Sequence, residues 1–252
     1  MTAELRVTLV GASQFVAPQH VRFDHDHADG QALIEFAGRS IYRSFDRPRP
    51  ATADTGDFLE HLISVGHLSA LEHASATLYL EHLSQAAASE LLRHRHLSIS
   101  QLSPRTPVRD VVEPPQIAAD PALHARFSRA VDELAAAHDE LFAALGGEAD
   151  RATGPTRGTR TADLAHKQAR QAAAALLPRS SATDLVVTAN HRAWRHVIAV
   201  RATDAADREV RAVAVAVLEV LAGLAPHLYG DFRISTLPDG SRTAASPFTG
   251  NA

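Results

Sequence analysis

The chain has 252 residues, enough to bury a sizeable core in one large domain or two small ones, and its 45% hydrophobic and 21% charged content is ordinary for a globular protein. A net charge of −4 leaves no basic excess, which argues against a general nucleic-acid binder and confines any phosphate site to a local cluster. No cysteine is present, so disulfides, zinc thiolates and cysteine nucleophiles are excluded.

The opening MTAELRVTLV has an early acidic residue and too short an apolar run for a signal peptide. Its segment Leu5–Val10 alternates apolar and polar residues and predicts a strand. Asp24–Gly30 is acidic and histidine-containing and reads as a loop; Gln31–Ser44 and Phe58–Val65 carry helical spacing. Ala74–Leu83 alternates through Ala76, Leu78 and Leu80, a strand feeding a helix over Ser84–Leu92, and the serines that follow predict a loop. Pro104, Pro107, Pro114 and Pro115 then impose extended or turning backbone. Ala125–Leu145 is a helix with one apolar stripe, on which His138 reads as a satisfied packing histidine, and Gly146–Arg160 reads as an exposed connector. Ala162–Leu177 is an alanine-rich helix stopped by Pro178, Asp184–Thr188 a short strand, and Arg192–Ala202 and Arg208–Leu221 two helices, with Gly223 a stop signal for the second. The longest apolar run, Ala212–Leu218, ends at Glu219 and is too short for a bilayer, so a cytoplasmic location is expected. The mixture predicts an α+β (mixed α/β) architecture with residues 1–252 as one domain.

Three segments carry chemistry. Arg93–Arg105 reads RHRHLSISQLSPR, setting guanidiniums and imidazoles beside the hydroxyl and amide groups of Ser98, Ser100, Gln101 and Ser103, as a phosphorylated planar ligand requires. Taken alone, the basic triplet equally fits a helix end that complements its own dipole. Gly66–Ser75 reads GHLSALEHAS, in which His67 and His73 also suit a turn. Asn190–Arg201 reads NHRAWRHVIAVR, a polar-striped helix with Trp194, Val197 and Ile198 for packing and Arg192 and His196 at i,i+4.

The ordered run RHR, two residues, Ser, four residues, Ser, one residue, Arg resembles the signature of the flavin-dependent thymidylate synthases. The likeness extends through the opening strand, GHLSALEHAS, KQARQAAAALLP and the C-terminal helix. It implies a central sheet flanked by helices, a homotetramer with shared active sites, FAD as cofactor, NADPH as reductant and 5,10-methylenetetrahydrofolate as carbon donor. The folate-only thymidylate synthases attack uracil with a cysteine, which this chain lacks. By the resemblance, Arg93, His94 and Arg95 would contact flavin, with Arg93 also reaching the nucleotide, and so would Ser69, Glu72, Asn190, His191, Arg192 and His196. His67 would lie near the reacting rings; Glu90 and Gln101 would bind sugar or phosphate, Gln101 also serving the cofactor side. Ser103, Pro104 and Arg105 would form the phosphate loop, and Arg201 would face the uracil and favour its N3-deprotonated form, as any nearby cation favours an anion.

Three positions depart from that family. Thr106 stands where a tyrosine follows the signature arginine, Pro104 can donate no backbone N–H, and Ala174 occupies the place of a nucleotide-binding arginine. A lost charge-assisted hydrogen bond costs about 1.5–3 kcal/mol of affinity unless compensated, and Arg170 and Arg179 are candidate substitutes. A roomier, less cationic pocket suggests that UMP is methylated as well as, or instead of, dUMP, as would suit a nucleoside-antibiotic pathway; an ordinary dUMP enzyme is the alternative. A non-catalytic flavin- or nucleotide-binding homologue is a further reading. Fifteen histidines raise a metal-dependent hydrolase, but no HExxH spacing appears and no metal is expected.

Overall fold

The computed structural model describes residues 4–25, 29–103, 110–153 and 160–249. In chain order it contains β1 (Arg6–Ala12), α1 (Gly30–Tyr42), α2 (Thr55–Ser64), β2 (Ser75–Ser84), α3 (Gln85–Leu91), β3 (Ser98–Gln101), α4 (Pro115–Ala118) and α5 (Pro121–Thr153). Then come α6 (Arg160–Ala173), β4 (Ala182–Asn190), α7 (His191–Arg201), α8 (Arg208–Leu224), α9 (Pro226–Tyr229) and the strands β5 (Arg233–Thr236) and β6 (Arg242–Ala245), with 3-10 turns at Pro50–Thr52, Leu68–Glu72 and Ala174–Leu176. Four strands form a sheet in the order β1-β2-β4-β3, and β5 and β6 form an antiparallel hairpin. The expected mixed α/β architecture is therefore present. The chain packs as two compact units: the larger holds residues 5–25, 29–81, 89–100 and 185–249, the smaller residues 4, 82–88, 101–103, 110–153 and 160–184.

Within the larger unit, β1 pairs antiparallel with β2 from Arg6↔Glu81 to Ala12↔Ala76. Alternation along β2 buries Ala76, Leu78 and Leu80, as a pleated strand with one face inward must. Helix α8 lies against β1 and α7 and buries Val213, Val217, Leu218 and Leu221. Trp194 of α7 is buried and its indole Nε1 donates to the Ala76 carbonyl at 3.1 Å, so one bond satisfies the ring and ties α7 to β2. Helix α1 starts where the Asp29 carboxylate accepts from the N–H groups of Gln31 and Ala32 at 2.8 and 3.3 Å. Helix α2 starts three residues before the predicted Phe58, because Asp54 accepts from Asp57 N at 2.9 Å. Gly66, at φ +75, leads the chain from α2 into the turn Leu68–Glu72, a conformation that a Cβ would strain.

A buried ionic cluster joins α1 and α2. Glu35 and Arg39 are 0% and 1% exposed. Arg39 Nε donates to Glu35 Oε1 at 2.6 Å, and its Nη2 donates to the Thr52 carbonyl at 2.7 Å. Thr55 Oγ1 donates to the other Glu35 oxygen at 2.6 Å, Arg47 approaches Oε1 at 3.3 Å, and the Arg39 guanidinium sits 4.2 Å over the Phe58 ring. Every lone pair of the carboxylate that faces inward thus meets a donor, the condition for tolerating a charge away from water.

In the smaller unit, α5 and α6 pack together, and Ser84 opens α3 by accepting from Ala87 N at 3.0 Å. Four expectations need correction. The serine run Ser98–Gln101 is strand β3 rather than loop, since S-I-S-Q has the two-residue period of a pleat. Helix α5 continues through Gly146 to Thr153, so most of the expected connector is helical; a glycine costs only about 1 kcal/mol in a helix and Gly146 faces open space. Gly223 does not stop α8, which runs on to Leu224 just ahead of Pro226. His138 on α5 is not a buried core group: it is partly exposed and bonded to the neighbouring Asp139 at 3.1 Å.

Candidate functional site

A cavity of about 740 Å³ opens in the larger unit. One wall is the segment after α3, from Arg93 to Leu97; the facing wall is Asn190 at the end of β4 and α7 with Arg192, Arg195, His196 and Val197. Leu68 and Glu72 of the 3-10 turn and Phe248 and Thr249 near the C-terminus complete it. Asn190 caps α7, its Oδ1 accepting from Ala193 N at 2.8 Å, so the helix starts at the cavity and directs the positive end of its dipole there.

The charges are matched pair by pair. Arg192 meets Glu72 at 2.5 Å, and Arg93 meets Glu90 at 3.1 and 3.3 Å. Arg195 is buried, grips Asp231 with two bonds of 2.6 Å, donates to the Leu228 carbonyl and lies 4.9 Å over Phe232. Burial would raise the Asp231 carboxyl, but hydrogen bonds from Arg195 and Ser246 outweigh it and hold the group below the usual carboxylate range. Among the described residues, Arg95 has no carboxylate partner. It is the cation left for an anionic ligand.

His94 links the two walls. Arg201 Nε donates to His94 Nε2 at 2.9 Å, while the Arg201 guanidinium contacts the Glu90 carboxylate at 3.3 Å and the Glu90 carbonyl at 3.4 Å. The His196 ring stands edge-on to His94, with centroids 5.9 Å apart. Burial, then the Arg201 charge, then His196 push the His94 imidazole from 6.5 down to about 4, with Glu90 pulling the other way. His94 is therefore neutral near pH 7. With Nε2 accepting from Arg201, the proton sits on Nδ1, and His94 can act as a neutral donor.

A family described as thymidylate synthase complementing protein matches residues 23–227. The flavin-dependent thymidylate synthase of Mycobacteroides abscessus is 48% identical over 246 residues, which cover 96% of this chain and 96% of that protein. This chain belongs to the flavin-dependent thymidylate synthase family. A second such synthase, from Corynebacterium efficiens, is 45% identical over 248 residues, covering 97% of this chain and 96% of that one. Among solved structures, the UMP/dUMP methylase PolB from Streptomyces cacaoi, bound with 5-Br dUMP, matches with a TM-score of 0.63 at 19% identity, covering 90% of this chain and 94% of that chain. The two share a fold.

Membership makes the protein a methyltransferase that uses flavin, and the cavity residues fit FAD. The volume lies within the roughly 300–1,000 Å³ of ordinary ligand pockets. Arg95, without a carboxylate partner among the described residues, and the α7 N-terminus suit a pyrophosphate, and the imidazoles suit a planar heterocycle.

Of the residues singled out from the thymidylate synthase signature and its companions, Glu72, Arg93, His94, Arg95, Asn190, Arg192 and His196 line the cavity together. Glu90 and Arg201 do not line it but hold His94 in place. His67 and Ser69 are exposed on the turn and lie outside the lining, as does His191. His191 is 1% exposed and shares a 2.9 Å bond with the buried Tyr229 hydroxyl. Arg192 turns to Glu72 rather than pairing with His196. In the smaller unit, Gln101 Nε2 donates to Gln85 at 2.9 Å and to Thr183 at 3.4 Å, Ser103 is partly buried, Arg170 is exposed, and Ala174 is partly buried in a 3-10 turn. Pro104, Arg105 and Thr106 lie outside the described residues.

Sequence reasoning missed Leu68, Arg195, His96, Leu97, Phe248 and Thr249. Arg195 carried a signal: a basic residue one position past Trp194 falls on the inner side of α7 and demands a carboxylate partner. Phe248 carried none, because no periodicity marks a turn.

The buried His191 makes a pH prediction. Burial lowers its imidazole from 6.5 to about 4, with Asp29 opposing weakly. Between those values the unfolded chain takes up a proton that the folded chain refuses, so stability rises with pH through the window and is lost as pH falls. The loss amounts to roughly 3 kcal/mol by pH 4. Urea unfolding at pH 7, 5.5 and 4.5 measures it, and His191→Gln should make the profile shallower, with the depressed His94 still contributing over the same window. A wild-type profile already flat over this range would remove the assignment.

Proposed function

We propose that the protein catalyses reductive methylation of uracil C5 in a uridine 5′-monophosphate, with UMP accepted as well as dUMP, 5,10-methylenetetrahydrofolate as carbon donor and NADPH as reductant. The carrying observation is the cationic cavity between the Arg93–Leu97 segment and α7, joined by the Arg201–His94 bond of 2.9 Å. When bound, FAD supplies the hydride that completes the methyl group.

The chain's own side chains then bind, orient and hold charge. Arg93, Arg95, Asn190 and Arg192 bind the cofactor, together with Ser69, Glu72 and His196. His94 donates through Nδ1 to a ring acceptor and remains neutral. Arg201 stabilises the N3-deprotonated uracil, its guanidinium held rigid by Glu90 and His94. Ser103, Pro104 and Arg105 hold the phosphate, Glu90 and Gln101 the sugar side, His67 stands near the reacting rings, and Arg170 compensates for Ala174. Thr106 meets the sugar 2′-hydroxyl. The active form is a homotetramer with sites shared among subunits, and the reaction belongs to nucleoside-antibiotic metabolism in the cytoplasm. Among the described residues no helix is long and apolar enough to cross a membrane.

The test supplies FAD-loaded protein with NADPH, methylenetetrahydrofolate and either UMP or dUMP, and detects the 5-methyluracil nucleotide by mass spectrometry. UMP is expected to be used with a kcat/KM no more than about a hundredfold below that for dUMP, the bound for a pocket that tolerates an added hydroxyl. A larger dUMP preference removes the UMP reading and leaves an ordinary thymidylate synthase. No methylated product from either nucleotide overturns both.

A further inference from the structure

The C-terminal residues offer a binding element that the family match, ending at residue 227, does not reach. After hairpin β5–β6 the chain makes a turn that closes on itself. Phe248 N donates to Ser246 Oγ at 3.0 Å, and Thr249 Oγ1 donates to the Ser246 carbonyl at 3.1 Å. Ser246 Oγ donates in turn to Asp231 Oδ2. The same carboxylate takes both bonds from Arg195. Arg195 is on α7 and lines the cavity, so one carboxylate fastens the C-terminal turn to the helix that carries the cofactor-side residues. A second tie is the bond of 2.9 Å from Ala244 N to the Ala202 carbonyl at the end of α7.

What the turn presents is Phe248. The residue is 42% exposed and is the one phenyl ring in a lining that sets guanidiniums and imidazoles beside the smaller apolar groups of Leu68, Leu97 and Val197. Part of the phenyl ring's apolar surface is left in water, and a planar heterocycle entering the cavity would remove that surface from solvent. We propose that Phe248 is a cofactor-binding residue that packs against a planar ring of bound FAD, and that Ser246 is the positioning residue that holds it there through Asp231 and Arg195. This rests on the reading of the cavity as the flavin site.

The experiment titrates apoprotein with FAD by flavin fluorescence and records the visible spectrum of the bound flavin for wild type, Phe248→Ala, Phe248→Tyr and Ser246→Ala. Melting curves check that each variant folds. Saturable binding by wild type supports the cavity reading; its absence would overturn that reading and the role given to Phe248 with it, whereas the variants below overturn the role of Phe248 alone. Given wild-type binding, Phe248→Ala is expected to weaken FAD about tenfold and shift the bound spectrum, since aromatic contacts of this kind are worth about one order of magnitude in affinity. Phe248→Tyr should restore both, and Ser246→Ala should give a smaller loss with an unchanged melting temperature. Equal affinity and identical spectra in Phe248→Ala and wild type would overturn the inference. So would a loss that Phe248→Tyr does not recover, because that marks a structural role rather than ring packing.

Discussion

Substitution of Arg201 by Ala is expected to lower kcat by about 10²–10³, the usual cost of removing one preorganised donor from a developing anion. The nucleotide KM should move far less than kcat, because the phosphate contacts proposed for Ser103 and Arg105 remain. Geometry sets the size of the effect. Arg201 reaches the Glu90 carboxylate at 3.3 Å and His94 Nε2 at 2.9 Å, so its guanidinium is fixed before any ligand arrives. Lys should not restore activity, since a single ammonium cannot make the planar set of contacts. A second readout is independent of turnover. Arg201 is among the causes that depress His94, so its removal should let His94 titrate at higher pH, a change visible by NMR. Turnover within twofold of wild type would remove Arg201 from the chemistry.

The other large effect concerns stability. Arg39→Met leaves the Glu35 carboxylate, 0% exposed, with only Thr55 and Arg47 as partners, and should cost about 3–5 kcal/mol. The double variant Glu35→Leu with Arg39→Met should be less destabilised than either single charge removal, because the ion that then lacks its carboxylate is Arg47, which is partly exposed and still donates to the Asp24 carbonyl. Urea midpoints at constant m-value measure all three. If the double variant were worse than both singles, Glu35 and Arg39 would be contributing net attraction rather than mutual compensation.

The parts of the fold written in local periodicity were legible. Strand β1, the alternation of β2 and the apolar stripe of α8 follow from residue order alone. The meeting of two distant segments was not legible: His94 and Arg201 lie 107 positions apart yet share a hydrogen bond within one chain, where the resemblance implied sites shared among subunits. The β5–β6 hairpin was missed because its strands are four residues each, too short for a period to stand out. Its signal was the turn chemistry of Leu237-Pro-Asp-Gly-Ser, where Gly240 takes φ +78 and Ser241 bonds Asp239. For His191 the sequence suggested a cofactor contact, and only packing shows its ring turned to Tyr229 instead. Burial of Glu35 with Arg39 was hidden likewise: an i,i+4 pair looks identical on a wet or a dry helix face.

Asn190 serves two masters with one carboxamide, its oxygen spent on Ala193 N and its nitrogen left over at the cavity wall. Ser or Asp would keep the helix start but remove the amide, and Asp would add an anion against a phosphate-bearing ligand. Gln or Lys would keep a donor but lose the cap. Asn190→Ser and Asn190→Gln should therefore fail differently, the first in holding the ligand and the second in starting the helix.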